Sequence, residues 1–201
     1  VPGNTSIPIV QGWNWVGFLP ERALSVARLR TELYPHDPEA FAMLARLLRI
    51  QGDTDGSLEA YASTIELDPT NRQALLARGD LLRDEGLFEP AQASYESLQE
   101  LDPTDAIPHL RLADLALVRG RFDDARAEYE RARILDPSRI LPVLGLASVA
   151  TISGQFEEAE RHLEEAEAEA DSDSQRLQVL DARQRYLDVR GRPAEAASFA
   201  R

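Results

Sequence analysis

A repeat of 34 residues organises most of this chain. Prolines and glycines recur at that spacing, and tyrosines keep the same step over three positions. The recurring residues are Pro35, Pro69, Pro103 and Pro137, then Gly52, Gly86, Gly120 and Gly154, and finally Tyr61, Tyr95 and Tyr129. Interleaved registers with one period indicate stacked copies of one small structural unit, which cannot bury its apolar face alone.

Each repeat predicts two helices. In residues 72–105, small and apolar residues recur at helical spacing on both sides of Gly86. The glycine permits the turn between the helices, because it adopts backbone angles closed to other residues. Pro103 ends the second helix, since its ring clashes with a continuing turn and it lacks an N–H. The sequence therefore predicts antiparallel helix pairs, with small residues such as Gly79 allowing close approach.

This pattern of 34-residue helix pairs, with small residues such as Gly79 at the approach and large residues at Phe88, Phe122 and Phe156 between the helices, resembles the tetratricopeptide repeat. The resemblance implies an all-α, right-handed superhelical solenoid of antiparallel helix pairs. It covers four repeats, at 38–71, 72–105, 106–139 and 140–173. The first repeat is the weakest match, because Thr54 and Ser57 replace the usual aromatic residue and alanine. An insertion in the polar stretch 171–174 would place a fifth, truncated repeat at 177–201.

The N-terminal part departs from this pattern. Residues 20–37 match a half repeat, with Pro20 as a helix starter, so the solenoid is predicted to span 20–201. Residues 1–19 form a β-branched, aromatic, glycine-punctuated arm that we predict to be extended. Its stretch from Gly12 to Gly17 is similar to strands of bacterial surface proteins. The apolar residues of this arm are Ile7, Ile9, Trp13, Trp15, Val16 and Phe18.

Composition excludes several kinds of chemistry. The chain has no cysteine and no lysine, so disulfides, Cys-based zinc sites and lysine catalysis are absent. Its 35 acidic and 22 basic residues give a net charge of -13, which disfavours a nucleic-acid partner. No apolar window is long enough to span a membrane. Glu158 and His162 lack a third metal ligand, and the acidic run 157–169 is predicted to be a solvated helix face. We therefore predict a non-enzymatic protein with no catalytic residues, metal or cofactor.

The resemblance also implies a ligand groove lined by the first helix of each repeat. Transferring the family's groove positions gives an apolar surface in the third and fourth repeats. Its apolar members are Ile107, Leu110, Leu117, Val118, Leu141, Leu144 and Ile152. An exposed apolar patch of this kind usually marks an occupied surface. The alternative is that the register is shifted by one residue and that some of these side chains belong to the core.

Two functions fit these features, and both make the protein an interaction scaffold; the sequence favours the first, and the second is the alternative. In the first, subunits assemble head to tail into a filament, with the N-terminal arm docking on the neighbouring subunit. Trp13 and Trp15 would be the anchors, as aromatic side chains bury a large area at low entropic cost. In the second, the protein is an adaptor that binds an extended apolar peptide of another protein in the groove. The arm then folds back as a cap on the N-terminal end of its own chain's solenoid.

The sequence also bears on location. Val1 in place of an initiator methionine, the likeness of the arm to surface-protein strands, and a possible glycosylation site at Asn4 favour an extracellular or periplasmic place. A cytoplasmic place is the alternative.

Overall fold

The structure, a computed structural model, describes the backbone of residues 15–191 and the side chains of residues 22–191. Every element in this range is a helix, which confirms the predicted all-α class. The helices are α1 (Trp15–Leu33), α2 (Pro38–Gln51), α3 (Thr54–Leu67), α4 (Arg72–Asp84), α5 (Phe88–Leu101), α6 (Ala106–Val118), α7 (Phe122–Leu135), α8 (Leu141–Ile152), α9 (Phe156–Glu169) and α10 (Asp173–Val189). They form two compact units that divide between Ala74 and Leu75, within α4.

A glycine with positive φ ends the first helix of each pair. Gly52, Gly86, Gly120 and Gly154 have φ between 72° and 79°. Other residues reach this left-handed region only with strain, because their Cβ approaches the following carbonyl oxygen. Gly191 follows α10 with a φ of 76°. It lies 37 residues after Gly154 instead of 34, which is the spacing that a three-residue insertion would produce.

An aspartate closes the turn after α5 and after α7. The Oδ1 atom of Asp102 accepts hydrogen bonds from the backbone N–H of Thr104, at 3.0 Å, and from its hydroxyl, at 2.7 Å. Asp136 accepts the equivalent bonds from Ser138. These bonds lower the pKa of the Asp136 carboxyl, with a further contribution from Arg139. The Asp-Pro-Thr/Ser phrase is thus a turn held by its own side chains.

The first compact unit is packed through alanines. Ala27 of α1 and Ala40 and Ala45 of α2 are completely buried. Ser57 of α3, where the repeat pattern expects alanine, is also completely buried. Its hydroxyl donates to the carbonyl of Ala45 at 2.8 Å, so the buried polar group is satisfied. The weak match of the first repeat therefore does not prevent close packing between α2 and α3.

The second compact unit contains two apolar clusters. One lies between α6 and α7 and receives Leu146 and Val149 from α8. The other joins α8, α9 and α10, and its largest residue is Tyr186, which is 1% exposed. Because α8 contributes to both clusters, it is buried on nearly all sides, and its sequence is correspondingly apolar throughout.

The prediction of an extended arm to residue 19 is wrong at its C-terminal end. Helix α1 begins at Trp15, so Trp15, Val16 and Phe18 have helical backbones, and Pro20 lies inside the helix instead of starting it. A short apolar run does not distinguish strand from helix by periodicity. The proline removes one backbone donor just after the first turn. Ile7, Ile9, Trp13 and Asn4 lie outside the described residues.

The acidic run on α9 is less solvated than we predicted. Glu158 and Glu165 are half-buried, and each pairs with an arginine of α7: Glu158 with Arg126 at 2.6 Å, and Glu165 with Arg133. His162, between them on the same helix, is only 7% exposed. The carboxylates on this side of α9 therefore join neighbouring helix pairs instead of standing free in solvent.

Candidate peptide-binding groove

The faces of α6, α8 and α10 meet at a cavity of about 590 Å³. We call this surface the groove. It is lined by Leu110, Arg111, Asp114 and Leu117 of α6, Tyr129 of α7, Leu141, Leu144, Gly145, Ser148 and Ile152 of α8, and Gln178, Asp181 and Arg185 of α10. Its volume is in the range of about 300–1,000 Å³ that is usual for ligand pockets.

Five of the seven predicted groove residues line this cavity, and Ile107 and Val118 are not among its lining residues. Leu110 and Leu144 are only 4% and 7% exposed, so they belong to the core as well as to the floor of the groove. Leu141 and Ile152 are the accessible apolar side chains, at 43% and 53% exposure. A ligand would therefore contact mainly these two residues and the half-buried Leu117.

A second cavity of about 330 Å³ continues the groove between α8 and α10. The two cavities share Ser148, Ile152 and Arg185. The remaining lining residues are mostly apolar or small: Ala147, Thr151, Ala182, Tyr186, Asp188 and Val189. Apolar residues of α8, from Leu141 to Ile152, therefore line the two cavities and form an apolar strip, and exposed polar residues of α10 line the same cavities.

Tyrosine–aspartate hydrogen bonds join the two helices of a pair beside this surface. The Tyr129 hydroxyl of α7 donates to Asp114 of α6 at 2.6 Å. Tyr95 of α5 donates to Asp80 of α4 in the same way at 2.9 Å. Burial raises the pKa of both tyrosines, and the adjacent carboxylates raise it further. Burial also raises the pKa of the Asp114 carboxyl, although Tyr129 and Arg111 act in the opposite direction.

A glycine in the middle of α8 allows Tyr129 to reach this position. A Cβ atom added to Gly145 would lie 2.3 Å from the Tyr129 ring. Gly79 leaves space for the Tyr95 ring in the same manner, at 2.5 Å. Glycine costs helix stability in such a place, so its presence reflects the close approach of the ring. The repeat pattern predicted a small residue at Gly79, but it did not single out Gly145.

Arg111 forms ion pairs with two acidic neighbours. Its Nε atom lies 2.9 Å from Asp80, whereas its NH1 atom is 3.8 Å from Asp114. Arg83 also approaches Asp80, at 3.7 Å. Asp80 is therefore surrounded by cationic and hydroxyl groups, while the carboxylate of Asp114 is only distantly paired.

The polar wall of the groove comes from α10. Gln178, Asp181 and Arg185 are exposed and lie at helical positions i, i+3 and i+7, so they share one face. Sequence reasoning missed them because the insertion before α10 displaced this helix from the repeat register. Their helical spacing was the signal that could have found them.

The described residues contain no group of three or more histidine, aspartate or glutamate side chains that could hold a metal ion. Over the same range, none of the helices has the length and apolar character needed to cross a bilayer.

Comparison with known proteins identifies the repeat. The sequence model of the tetratricopeptide repeat matches residues 42–106, 76–140 and 110–175. The chain belongs to the tetratricopeptide repeat family. The resemblance deduced from the proline, glycine and tyrosine spacing is thereby confirmed. A tetratricopeptide fold indicates a scaffold for protein–protein interaction.

Solved tetratricopeptide structures share the fold. A tetratricopeptide repeat protein from Parabacteroides merdae has a TM-score of 0.79 at 20% identity, over 90% of this chain and 70% of its own. PilW, described as a type IV pilus biogenesis factor, has a TM-score of 0.71 at 16% identity, over 92% and 84%. MamA has a TM-score of 0.63 at 22% identity, over 81% and 87%. A search of the curated proteins gave no match. At these identities the likeness extends to the fold alone.

Proposed function

We propose that this tetratricopeptide protein is a non-enzymatic adaptor that binds a segment of another protein in the groove. One observation carries the proposal. The apolar side chains of Leu141 and Ile152 on α8 are exposed and line the cavity between α6 and α10. Burying such side chains in a complex is favourable by roughly 25 cal/mol per Å² of apolar surface. The groove and the cavity that continues it, of about 590 and 330 Å³, provide room for several side chains of a peptide segment.

Selection of peptides from a random library against the full chain tests this proposal. The affinity of a selected peptide is then measured for Ile152→Glu and for Ile134→Glu. Both isoleucines are exposed, at 53% and 75%, but Ile134 lies on α7 outside the groove. We expect Ile152→Glu to weaken binding at least about tenfold, since a buried charge costs more than 1.4 kcal/mol. Equal affinities for the two variants would contradict the proposal.

Self-assembly is the second candidate function. Residues 1–14 contain no charged side chain, in a chain that is 28% charged, and they include Ile7, Ile9 and Trp13. An uncharged segment of this kind suits the apolar strip of the groove in another subunit. Because α1 begins at Trp15, the segment available for docking is shorter than the predicted arm.

Deletion of residues 1–14, followed by light scattering, separates these functions. Self-assembly predicts oligomers that become monomers on deletion, and Trp13→Ala should weaken them. A full-length chain that stays monomeric at high concentration would eliminate the filament. If the arm instead caps the end of its own solenoid, the deletion should lower the melting temperature and leave the molecular mass of the particle that of a monomer.

We also propose an extracellular or periplasmic location, supported by the glycosylation triplet at Asn4. Fractionation of cells that produce the natural protein tests it. Recovery in the cytoplasmic fraction would contradict it.

A further inference from the structure

We infer that the groove selects a peptide segment with a basic side chain flanked by apolar residues, and that Asp114 and Asp181 hold the cationic group. This inference rests on the proposed adaptor function and specifies the chemistry of its ligand.

The shape of the groove suits a long side chain with a charged tip. Leu117, Leu141 and Ile152 provide apolar wall, and carboxylates of α6 and α10 line the same cavity. Lysine and arginine place their methylene stems along apolar surface while the cationic head reaches a polar group. A purely apolar side chain would fill the walls but would desolvate Asp181, and it would leave Asp114 with only the hydrogen bond from Tyr129 and the distant Arg111.

Carboxylates outnumber guanidinium groups by one among the residues that line the two cavities: Asp114, Asp181 and Asp188 against Arg111 and Arg185. Arg111 forms ion pairs with Asp80, at 2.9 Å, and with Asp114, at 3.8 Å, so its charge is shared between two carboxylates and compensates Asp114 only in part. The hydroxyl of Tyr129, which donates to Asp114 at 2.6 Å, carries no charge. Within residues 22–191, Asp181 has no ion pair, and it is exposed to solvent. Asp188 adds a third carboxylate to the adjoining cavity.

Arg185 is the opposing group. Its side chain is exposed, lines both cavities, and makes no ion pair within residues 22–191. It would attract an acidic ligand and repel a basic one, so its replacement distinguishes the two charge classes. Together with Arg111 it balances two of the three carboxylates, Asp114, Asp181 and Asp188, that line the two cavities. The net charge of -13 on the whole chain adds a long-range attraction for a basic partner.

The experiment uses the full chain and three labelled peptides that are identical except at one position. Two leucines flank that position on each side, and it carries lysine, glutamine or glutamate. Fluorescence anisotropy at low and high salt gives the affinities. We expect the lysine peptide to bind about tenfold more tightly than the glutamate peptide at low salt, with the difference shrinking at high salt.

Charge variants of the protein show which groove residues cause the preference for the lysine peptide over the glutamate peptide. Asp181→Asn and Asp114→Asn should each reduce it severalfold, while Arg185→Gln should preserve or increase the affinity for the lysine peptide. Asparagine retains a hydrogen-bond acceptor for Tyr129, so Asp114→Asn keeps that bond. Glu157→Gln, at an exposed carboxylate of α9 outside the groove, is the matched control. Circular dichroism of every variant confirms that it is folded.

Tighter binding of the glutamate peptide, or weaker binding of the lysine peptide to Arg185→Gln, would overturn the inference. Equal affinities for all three peptides would also overturn it, but would leave the adaptor function standing if Ile152→Glu abolishes them. If no peptide binds, or if Ile152→Glu leaves the affinity of every peptide unchanged, the proposed adaptor function itself is wrong.

Discussion

The hydroxyl of Tyr129 on α7 donates a hydrogen bond of 2.6 Å to Asp114 on α6. This bond joins the two helices of the third repeat beside the groove, and it orients a carboxylate that lines the cavity. The same geometry between Tyr95 and Asp80 in the second repeat shows that it follows from the 34-residue register. The bond therefore links the repeat pattern to the chemistry of the groove.

Tyr129→Phe tests the contribution of this bond to stability. We expect a loss of about 1–2 kcal/mol in the free energy of unfolding, because the half-buried carboxylate of Asp114 loses its donor. Urea denaturation measures the change. Tyr34→Phe is the control, since Tyr34 is 59% exposed and should change stability by less than about 0.5 kcal/mol. Equal losses for the two variants would contradict the assigned role of the bond.

Gly145→Ala tests the close approach of the Tyr129 ring to α8. The added Cβ would lie 2.3 Å from the ring, so we expect a loss of about 1–3 kcal/mol despite the better helix propensity of alanine. In a Tyr129→Leu background the ring is absent. Leucine holds the corresponding place in the fourth repeat, at Leu163. There the same substitution should be neutral or stabilising, and an unchanged penalty would show that the ring is not the cause.

Gly154→Ala tests the positive φ of 74° between α8 and α9. No atom lies within 4 Å of an added Cβ, so backbone strain alone should set the cost. We expect a loss of about 1–2 kcal/mol for alanine and a smaller loss for asparagine, which tolerates left-handed angles better. Chemical denaturation of both variants gives the comparison. Equal stability of wild type and Gly154→Ala would refute the strain.

His162 makes stability depend on pH. Burial lowers its pKa below the ordinary value of 6.5, despite opposing contributions from Glu165 and Glu158. The unfolded chain therefore binds the proton more readily than the folded protein does. Its neutral form contributes fully above pH 6.5, and that contribution is lost as the pH falls toward the lower pKa of the folded state.

Urea denaturation at several pH values between 5 and 8 measures this dependence for wild type and His162→Gln. We expect the wild type to lose more stability than the variant on acidification. Because the two proteins share every other titratable group, the difference isolates His162. Identical pH profiles would contradict the lowered pKa.

The sequence allowed the helix pairs and their turns to be predicted, because the period fixes which glycines and prolines interrupt the helices. It also indicated Leu141 and Ile152 as accessible groove residues, and the structure places both at the cavity. Prediction from the sequence was wrong where tertiary packing determines the local structure or the burial of a side chain. Neither the helical start of α1 at Trp15 nor the burial of His162 follows from local spacing.

The polar wall of the groove was missed for a different reason. Asp181 and Arg185 lie on a helix that an insertion has moved out of register. The groove positions that the family resemblance implies therefore ended at Ile152, in the fourth repeat. The need for glycine at Gly145 was also invisible, since it depends on a ring from α7.

Mapping a bound peptide by NMR tests whether the groove is the peptide-binding surface. The full chain, labelled at leucine and isoleucine methyl groups, is titrated with a peptide selected against it. Binding in the groove predicts the largest chemical-shift changes at Leu117, Leu141 and Ile152, with Ile134 on α7 unaffected. Changes confined to Ile134 or to the exposed Leu29 of α1, with the groove methyl groups unchanged, would contradict it.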